Sequence, residues 1–328
     1  MNLSKKNTIF LSIVVLTFII LFVSSPAKNL EACMNGLLVW ATSIAPALFP
    51  FLIFTKLLSE LNFIETLSKY LSPITRKLYH TPGISAYIYT MSILSGYPVG
   101  AKLTADFYEK GLISYGQACR ITTFTSTSGP LFIVGTVGIG MLHSGRMGII
   151  ILLSHFIGAI LNGLIYRNYM YDKVSISSTI DTQSTTNKNL LEDIMFSSIK
   201  SILIIGGYVA IFFVIITMLN NAHILYPIEY FISKIFSLLH IPTQIVSPMI
   251  NGIIEVTKGC LDVSTISIPP ITKCAICTFL ISFGGISIHM QALTFIKRFH
   301  IKTSFYILQK VTHAILSTII SIPLYFLI

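Results

Sequence analysis

The segment that decides the fold is ISAYIYTMSIL at residues 84–94, followed by SGYPVG at residues 95–100 and by the more polar KLTADFYEK at residues 102–110. The apolar run is too short to cross a bilayer, since a spanning helix needs about 20 residues. Gly and Pro break a helix, and broken backbone within a membrane is stable only where protein or water covers it. The pattern therefore predicts a re-entrant hairpin with its tip at residues 96–100.

The composition of the whole chain indicates a membrane protein. Of its 328 residues, 53% are hydrophobic and 10% are charged, whereas a soluble domain has about 25% charged residues. The apolar residues form blocks of about 20, the length of a transmembrane helix. The net charge of +10 comes from Lys and Arg in the gaps between blocks, where such residues orient a membrane protein. This distribution argues against nucleic acid as a partner.

The apolar blocks divide the chain into four parts and predict seven transmembrane spans. Residues 1–30 contain an N-terminal transmembrane helix, which we interpret as uncleaved, although a signal peptide has the same charge pattern. Residues 31–166 and 191–328 form two repeats, separated by a flexible, polar, cytoplasmic linker at residues 167–190. The predicted spans are residues 9–23, 33–58, 117–141, 147–166, 196–219, 272–295 and 305–328.

The second repeat has the same order of features as the first. A short apolar element at residues 245–260 takes the place of the first hairpin, and both repeats contain an interrupted span. Residues 119–129 laid on residues 274–284 match at five of eleven positions, and Gly96 and Lys102 fall on Gly252 and Lys258. Matches in the same order along both halves indicate a duplication.

The distribution of positive charge predicts that the halves are inverted. With re-entrant hairpins each half crosses three times, which inverts the second half and leaves 17 of the 22 Lys and Arg residues inside. With spanning hairpins the halves are parallel and the count is 12 inside against 10 outside. Because positive residues collect on the cytoplasmic side, the inverted arrangement is favoured, with the amino terminus inside and the carboxyl terminus outside. Inverted repeats with broken helices are typical of transporters.

The interruption at Ser128, Gly129 and Pro130 predicts a helix N-terminus within the membrane. Ser is a favoured N-cap and Pro is well tolerated in the first helical turn. Such an N-terminus presents free backbone N–H groups and a partial positive charge, which suit an anion. Gly284 and Gly285 predict a counterpart in the second half. The alternative interpretation is that these breaks only allow helices to pack closely.

Several ionisable residues lie at membrane depth, where such groups are costly and often functional. Glu255 is a candidate to accept a proton or a cation, or to bind the substrate; alternatively it pairs with Lys258 near the outer surface. Lys102 either attracts an anion or only orients the protein. We expect His155 and His313 to make hydrogen bonds between packed helices.

Four motifs give the chain a resemblance to a known family. They are SGYPVGAK at residues 95–102, TSTSGP at 125–130, NGIIE at 251–255 and SFGG at 282–285. In these motifs the chain resembles the sporulation integral membrane proteins of the YlbJ type, also called stage V sporulation protein V. That family is grouped with the nucleoside-recognition, or Gate-domain, membrane proteins. The resemblance covers nearly the whole chain from about residue 30.

The resemblance implies both a place and a cargo. The place is the outer forespore membrane, which derives from the mother cell, and the cargo is dipicolinic acid, a small aromatic dicarboxylate on which Tyr97 is a candidate to stack. Gate-domain proteins are similar in layout to concentrative nucleoside transporters, in which hairpin tips and broken helices meet at the substrate. The hairpins of this chain lack the polar residues that would read a nucleobase.

Residues and resemblance together predict an all-α polytopic membrane protein of two inverted repeats with re-entrant hairpins and broken helices. We expect a transporter of a small polar or anionic solute, with dipicolinic acid as the leading cargo. A carrier of nucleosides or other organic anions, and a non-transporting assembly factor for sporulation, remain as alternatives. The candidate substrate-binding residues are Gly96, Tyr97, Gly100, Lys102, Thr127, Ser128, Gly129, Asn251, Glu255, Ser282, Gly284 and Gly285.

The sequence predicts no catalytic site. It contains no HExxH motif, no paired intramembrane aspartates and no Ser–His pair that the spacing supports. We therefore expect neither an enzyme nor a protein that holds a metal or an organic cofactor. Coupling of transport to H⁺ or Na⁺, and assembly into a homo-oligomer, are compatible with the sequence.

Overall fold

The computed structural model describes residues 5–61, 63–171 and 189–328. Every regular element of these residues is a helix, the expected result for a chain in lipid, where a helix satisfies its own backbone hydrogen bonds. Most of the predicted linker, residues 172–188, lies outside the described residues. The helical architecture confirms the predicted fold class at the level of an all-α polytopic membrane protein.

The first half contains eight α-helices. Its long first span is continuous but changes to π-helix at Trp40–Ile44, just before the proline at position 46 removes a backbone donor. The helices are α1 (Lys5–Ser24), α2 (Pro26–Val39), α3 (Ala45–Glu60), α4 (Phe63–Tyr79), α5 (Ile84–Ser95), α6 (Val99–Glu109), α7 (Tyr115–Thr125) and α8 (Gly145–Ile165). A second π-helix, Phe132–Met141, lies between α7 and α8.

The second half contains seven α-helices and short 3₁₀ turns at Thr243–Ile245 and Lys297–Phe299. The helices are α9 (Leu190–Asn221), α10 (Tyr226–Leu238), α11 (Val246–Ile254), α12 (Val256–Thr265), α13 (Pro270–Phe283), α14 (Gly285–Ile296) and α15 (Thr303–Leu327). The order is the same as in the first half from α2 onward: a long span, an amphipathic helix, a two-helix hairpin, a broken helix and a final span.

Five helical segments of the described chain are long and apolar enough to cross a membrane, and they coincide with five of the seven predicted spans. They are Pro26–Leu58, Gly145–Ile165, Leu190–Asn221, Pro270–Phe299 and Thr303–Leu327. Of the other two predicted spans, the first appears as a shorter apolar helix, Thr8–Ser24. Large apolar side chains remain exposed along α1 and α9, as on surfaces that face lipid.

The predicted span at residues 117–141 differs most from expectation. It is divided into α7 and the π-helix Phe132–Met141, separated by irregular backbone. The π-helix lies very close to α8, since a Cβ atom built on Gly138 would lie 2.6 Å from the Cα of Gly148. The hydropathy of this segment predicts an apolar helix but not that the helix is a π-helix. The π-helical part is the part that packs against α8.

Contacts between the two halves occur in exchanged pairs. The first long spans, α2 and α9, pack along each other, and so do the final spans, α8 and α15. Helix α7 contacts α15, while its counterpart α13 contacts α8. Helix α6 contacts α14, while its counterpart α12 contacts the π-helix Phe132–Met141. Each of these contacts thus has a reciprocal contact between the corresponding elements of the two halves.

Candidate functional site

Three chain breaks line one cavity, which we call the central cavity, and a fourth lies next to Tyr97 in its wall. The breaks are residues 96–98 between α5 and α6, residues 126–129 after α7, Glu255 between α11 and α12, and Gly284 between α13 and α14. The cavity has a volume of about 820 Å³, including the part that is open at its mouth. Apolar residues of α3 and α9 form much of its wall. Its polar wall residues are Ser95, Tyr97, Ser128, Tyr208, Glu255, Thr257, Ser287 and Gln291.

The tip of the first hairpin lies directly against the first broken helix. Gly96 has a φ of +68°, a conformation that favours glycine, and a Cβ atom built on it would lie 2.8 Å from the backbone N of Gly129. Gly129 itself has more room, since a Cβ atom built there would lie 3.8 Å from Gly96. The two glycines therefore bring backbone against backbone at the cavity wall.

The N–H group of Ser128 is not free, in contrast to the prediction for this helix N-terminus. It donates a hydrogen bond to Nε2 of His155 on α8, at 2.9 Å. A buried N–H group needs a partner, and this imidazole provides it. The neighbouring Thr127 is also engaged, because its hydroxyl lies 3.0 Å from that of Ser92 on α5. Ser128 and Gly129 remain in the cavity wall.

Glu255 forms the tip of the second hairpin and the N-cap of α12. Its Oε2 accepts a hydrogen bond from the backbone N–H of Lys258 at 2.7 Å, and its side chain is 3% exposed. The alternative of an ion pair between Glu255 and Lys258 is wrong, since the Lys258 ammonium pairs with Asp262. Asn251 also turns to Asp262, to which its amide donates at 2.8 Å. Only Glu255 of these polar residues lines the central cavity.

The second broken helix contacts the same region through glycine backbone. Gly284 has a φ of +98° and ends α13, and Gly285 has a φ of +69° and begins α14. A Cβ atom built on Gly284 would lie 3.7 Å from the hydroxyl oxygen of Tyr97, and one on Gly285 would lie 3.2 Å from the backbone N of Val256. The second break therefore borders both hairpin tips.

His155 connects the broken helices of the two halves. Besides the bond from Ser128, its Nδ1 lies 2.9 Å from the hydroxyl of Ser282 on α13. His313 of α15 donates from Nε2 to the backbone carbonyl of His155 at 2.9 Å, since a carbonyl only accepts. These bonds agree with the expected helix-packing role of both histidines.

The sequence spacing predicts no Ser–His pair, but the fold forms one between Ser282 and His155. Because Nε2 of His155 accepts from an N–H group, the proton of the neutral ring lies on Nδ1, which then donates to Ser282. A general base toward Ser282 requires the opposite tautomer. The contact therefore acts as a structural link in this geometry.

Lys310 is a buried ionisable residue beside the site that the sequence analysis missed. It lies on α15, is 1% exposed, and donates from Nζ to the hydroxyl of Tyr97 and to the carbonyl of Ser126, both at 2.9 Å. The rule that marks Glu255, an ionisable residue within an apolar span, also applies to Lys310. The charge count placed it on the inside, together with Arg120, which is equally buried. Without these two, the predicted inverted arrangement still has 15 positive residues inside against five outside.

The predicted site residues fall into three groups in the structure. Gly96, Tyr97, Ser128, Gly129 and Glu255 line the central cavity. Gly100, Thr127, Asn251, Ser282, Gly284 and Gly285 are buried behind its wall. Lys102 is exposed on α6, which places it outside the cavity. Both π-helical segments border the cavity as well, through Ile44 and Phe132.

The described part of the chain contains no group of three or more His, Cys, Asp and Glu residues placed to hold a metal ion. The polar groups in and next to the cavity wall are hydroxyl groups, the carboxyl group of Glu255, the amide of Gln291 and the amino group of Lys310. Such an arrangement suits the binding of a polar solute.

Comparison with known proteins identifies one curated relative by name. The chain is 30% identical over 310 residues to the sporulation integral membrane protein YlbJ of Bacillus subtilis (strain 168), a match that covers 89% of this chain and 76% of the relative. No family model matches the chain. No solved structure matches it either.

Proposed function

The chain belongs to the family of the sporulation integral membrane protein YlbJ, and on that premise we propose that it transports a small organic anion across a membrane during spore formation. The cargo we propose is dipicolinic acid, and the membrane is the outer forespore membrane. The observation that carries the proposal is that three chain breaks line the central cavity and a fourth, at Gly284, lies next to Tyr97 in its wall, so that each half contributes two breaks.

Helix breaks at corresponding positions of the two halves support a role in transport. A break within a membrane has a cost in free energy, which a binding site would explain. Each break exposes backbone groups that a continuous helix would satisfy, and within a membrane such groups must find other partners. Here they are placed around a cavity that has Tyr97 and Glu255 in its wall. In transporters built from repeats, substrates bind where discontinuous helices meet near the middle of the membrane.

The exchanged contacts between the halves support alternating access. We propose that the two halves are inverted relative to each other, as the positive-inside rule predicts. Exchange of their conformations would then open the central cavity first to one side and then to the other. The link from Ser128 through His155 to Ser282 joins the broken helices, so that they move together.

Glu255 is the residue that we propose for coupling to H⁺ or Na⁺. Its side chain lies in the wall of the cavity that would receive an anion, and two negative charges at low dielectric repel strongly. A proton or a cation on Glu255 removes that repulsion. Entry of the anion is then linked to entry of a positive charge.

The direct test is uptake of dipicolinate into liposomes that contain only the purified protein. We expect uptake by the wild type above that of empty liposomes and a loss of uptake in Gly129→Leu, whose side chain would fill the cavity wall. Uridine and adenosine serve as competitors in the same assay. Competition by nucleosides would favour a nucleoside carrier, and no uptake of any solute by folded protein would favour an assembly factor.

A further inference from the structure

Lys310 is a buried lysine with no carboxylate partner in the described part of the chain. Its Nζ has no Asp or Glu oxygen within 4.0 Å among residues 5–61, 63–171 and 189–328. A buried cation without a counter-charge is costly, because both water and a partner are missing. The cost is reduced by hydrogen bonds and by whatever anion comes near.

The hydrogen bonds around Lys310 are those that a charged ammonium requires. An ammonium has three donors and no acceptor. Three acceptors surround Nζ: the hydroxyl oxygen of Tyr97 at 2.9 Å, the carbonyl of Ser126 at 2.9 Å and Nδ1 of His313 at 3.5 Å. Nδ1 of His313 is free to accept because Nε2 donates to the carbonyl of His155. The Tyr97 hydroxyl in turn donates to the carbonyl of Ile281 at 3.2 Å.

Tyr97 places this charge next to the central cavity. Its side chain is part of the cavity wall, and Nζ of Lys310 lies 4.8 Å from the centre of its ring. The phenol is thus the layer between the ammonium and the cavity. A positive charge behind one aromatic side chain acts across it, since electrostatic interactions are weakly screened in a protein interior.

A second observation indicates unused hydrogen-bonding capacity beside Lys310. His289 on α14 is 3% exposed, and neither of its ring nitrogens has a hydrogen-bond partner. Its ring packs edge-on against Tyr306, at 5.6 Å between centroids, and the Tyr306 hydroxyl lies 3.4 Å from that of Ser126. Buried polar groups are normally satisfied, so the two ring nitrogens of His289 are hydrogen-bonding capacity that the described residues leave unused.

We propose that Lys310 makes the central cavity select anions, by holding a positive charge behind Tyr97. This inference rests on the proposed function, because it assigns the group that recognises the charge of the cargo. Lys310 is a positioning residue in this role: it acts through Tyr97 and the polar groups around it. The ligand class is an aromatic or heterocyclic ring with at least one carboxylate or phosphate group.

The test separates charge from shape with matched ligand pairs. Pyridine-2,6-dicarboxylate is compared with the neutral pyridine-2,6-dicarboxamide, and uridine 5′-monophosphate is compared with uridine. Equilibrium binding to the purified full chain is measured for the wild type, Lys310→Gln, Lys310→Arg and Tyr97→Phe. Lys102→Gln is the matched control, since it removes an equal charge from the exposed face of α6.

We expect Lys310→Gln to bind the charged member of a pair about 10- to 100-fold more weakly than the wild type does, a loss of about 1.4–2.8 kcal/mol of binding free energy. The affinity for the neutral member should change by less than about threefold. Lys310→Arg should retain the preference for the charged member. Tyr97→Phe should lose part of it and serves as the second variant if Lys310→Gln does not fold. Lys102→Gln should bind as the wild type does.

Each outcome separates this inference from the proposed function. Binding of uridine 5′-monophosphate but not of dipicolinate, with the preference lost in Lys310→Gln, contradicts the proposed cargo and supports the role of Lys310. Unchanged preference for the charged ligand in Lys310→Gln or Tyr97→Phe overturns the role of Lys310. Equal loss of charged and neutral ligands would show a structural role only. A wild type that prefers neither charged ligand contradicts both.

Discussion

The two hairpin tips reach the same cavity with opposite chemistry. In the first tip, the backbone of Gly96 lies against Gly129, and the hydroxyl group of Tyr97 accepts a hydrogen bond from Lys310 in the other half of the chain. In the second, the carboxyl group of Glu255 caps its own helix. The halves have the same order of elements but not the same site. Both halves thus place chain breaks near the same cavity, while the residues at these breaks put the carboxyl group of Glu255 on one side of it and Lys310 behind Tyr97 on the other.

The largest effect is expected where two backbones touch at the first tip. Gly96→Ala places a side chain at positive φ and against the backbone of Gly129, which we expect to cost about 1–3 kcal/mol of stability and to abolish uptake. Gly129→Ala is the matched control, since its Cβ atom would meet nothing closer than 3.8 Å. Thermal unfolding and liposome uptake measure both. Equal behaviour of the two variants would contradict the close approach at this tip.

Glu255→Gln tests the anionic side of the comparison. The amide oxygen of Gln can still accept the hydrogen bond from Lys258 N–H, so stability should change little, while the charge that we assign to coupling is lost. We expect uptake to fall about tenfold or more, the equivalent of at least about 1.4 kcal/mol. Glu60→Gln, which neutralises an exposed carboxyl group at the end of α3, is the control. Undiminished uptake in Glu255→Gln would remove this residue from the mechanism.

Effects no larger than that of Gly96→Ala are expected in the link that joins the two halves. His155→Leu leaves the buried N–H of Ser128 without an acceptor, which should lower the free energy of unfolding by about 1–3 kcal/mol. Ser282→Ala removes one hydrogen bond of the same imidazole and should lower it by about 0.5–1.5 kcal/mol. Ser201→Ala, whose hydroxyl bonds only to its own helix, is the control. The order His155, Ser282, Ser201 in thermal unfolding is the expected result; a different order would show that the halves are not joined here.

Sequence reasoning located the breaks well, because Gly and Pro act on the backbone next to them. The tip at Gly96, the interruption at Gly129 and the break at Gly284 are where the sequence predicts them. Sequence reasoning was less successful with charged residues, since hydropathy does not show whether an ionisable side chain in a span is buried in the protein or exposed. The charge count assigns Lys310 and Arg120 to the cytoplasmic side, and both are buried. Lys102, predicted as a site residue, is exposed.

The sequence by itself determined that this is a helical membrane protein, where its helices begin and break, and to which family it belongs. Those features depend on hydropathy and on local backbone preference, which neighbouring residues decide. Only the tertiary structure decided that Tyr97, Ser128 and Glu255 share one cavity, and that Lys310 lies behind Tyr97. These contacts join residues far apart in the chain. They depend on how the helices of the two halves pack, and a local sequence pattern does not predict that packing.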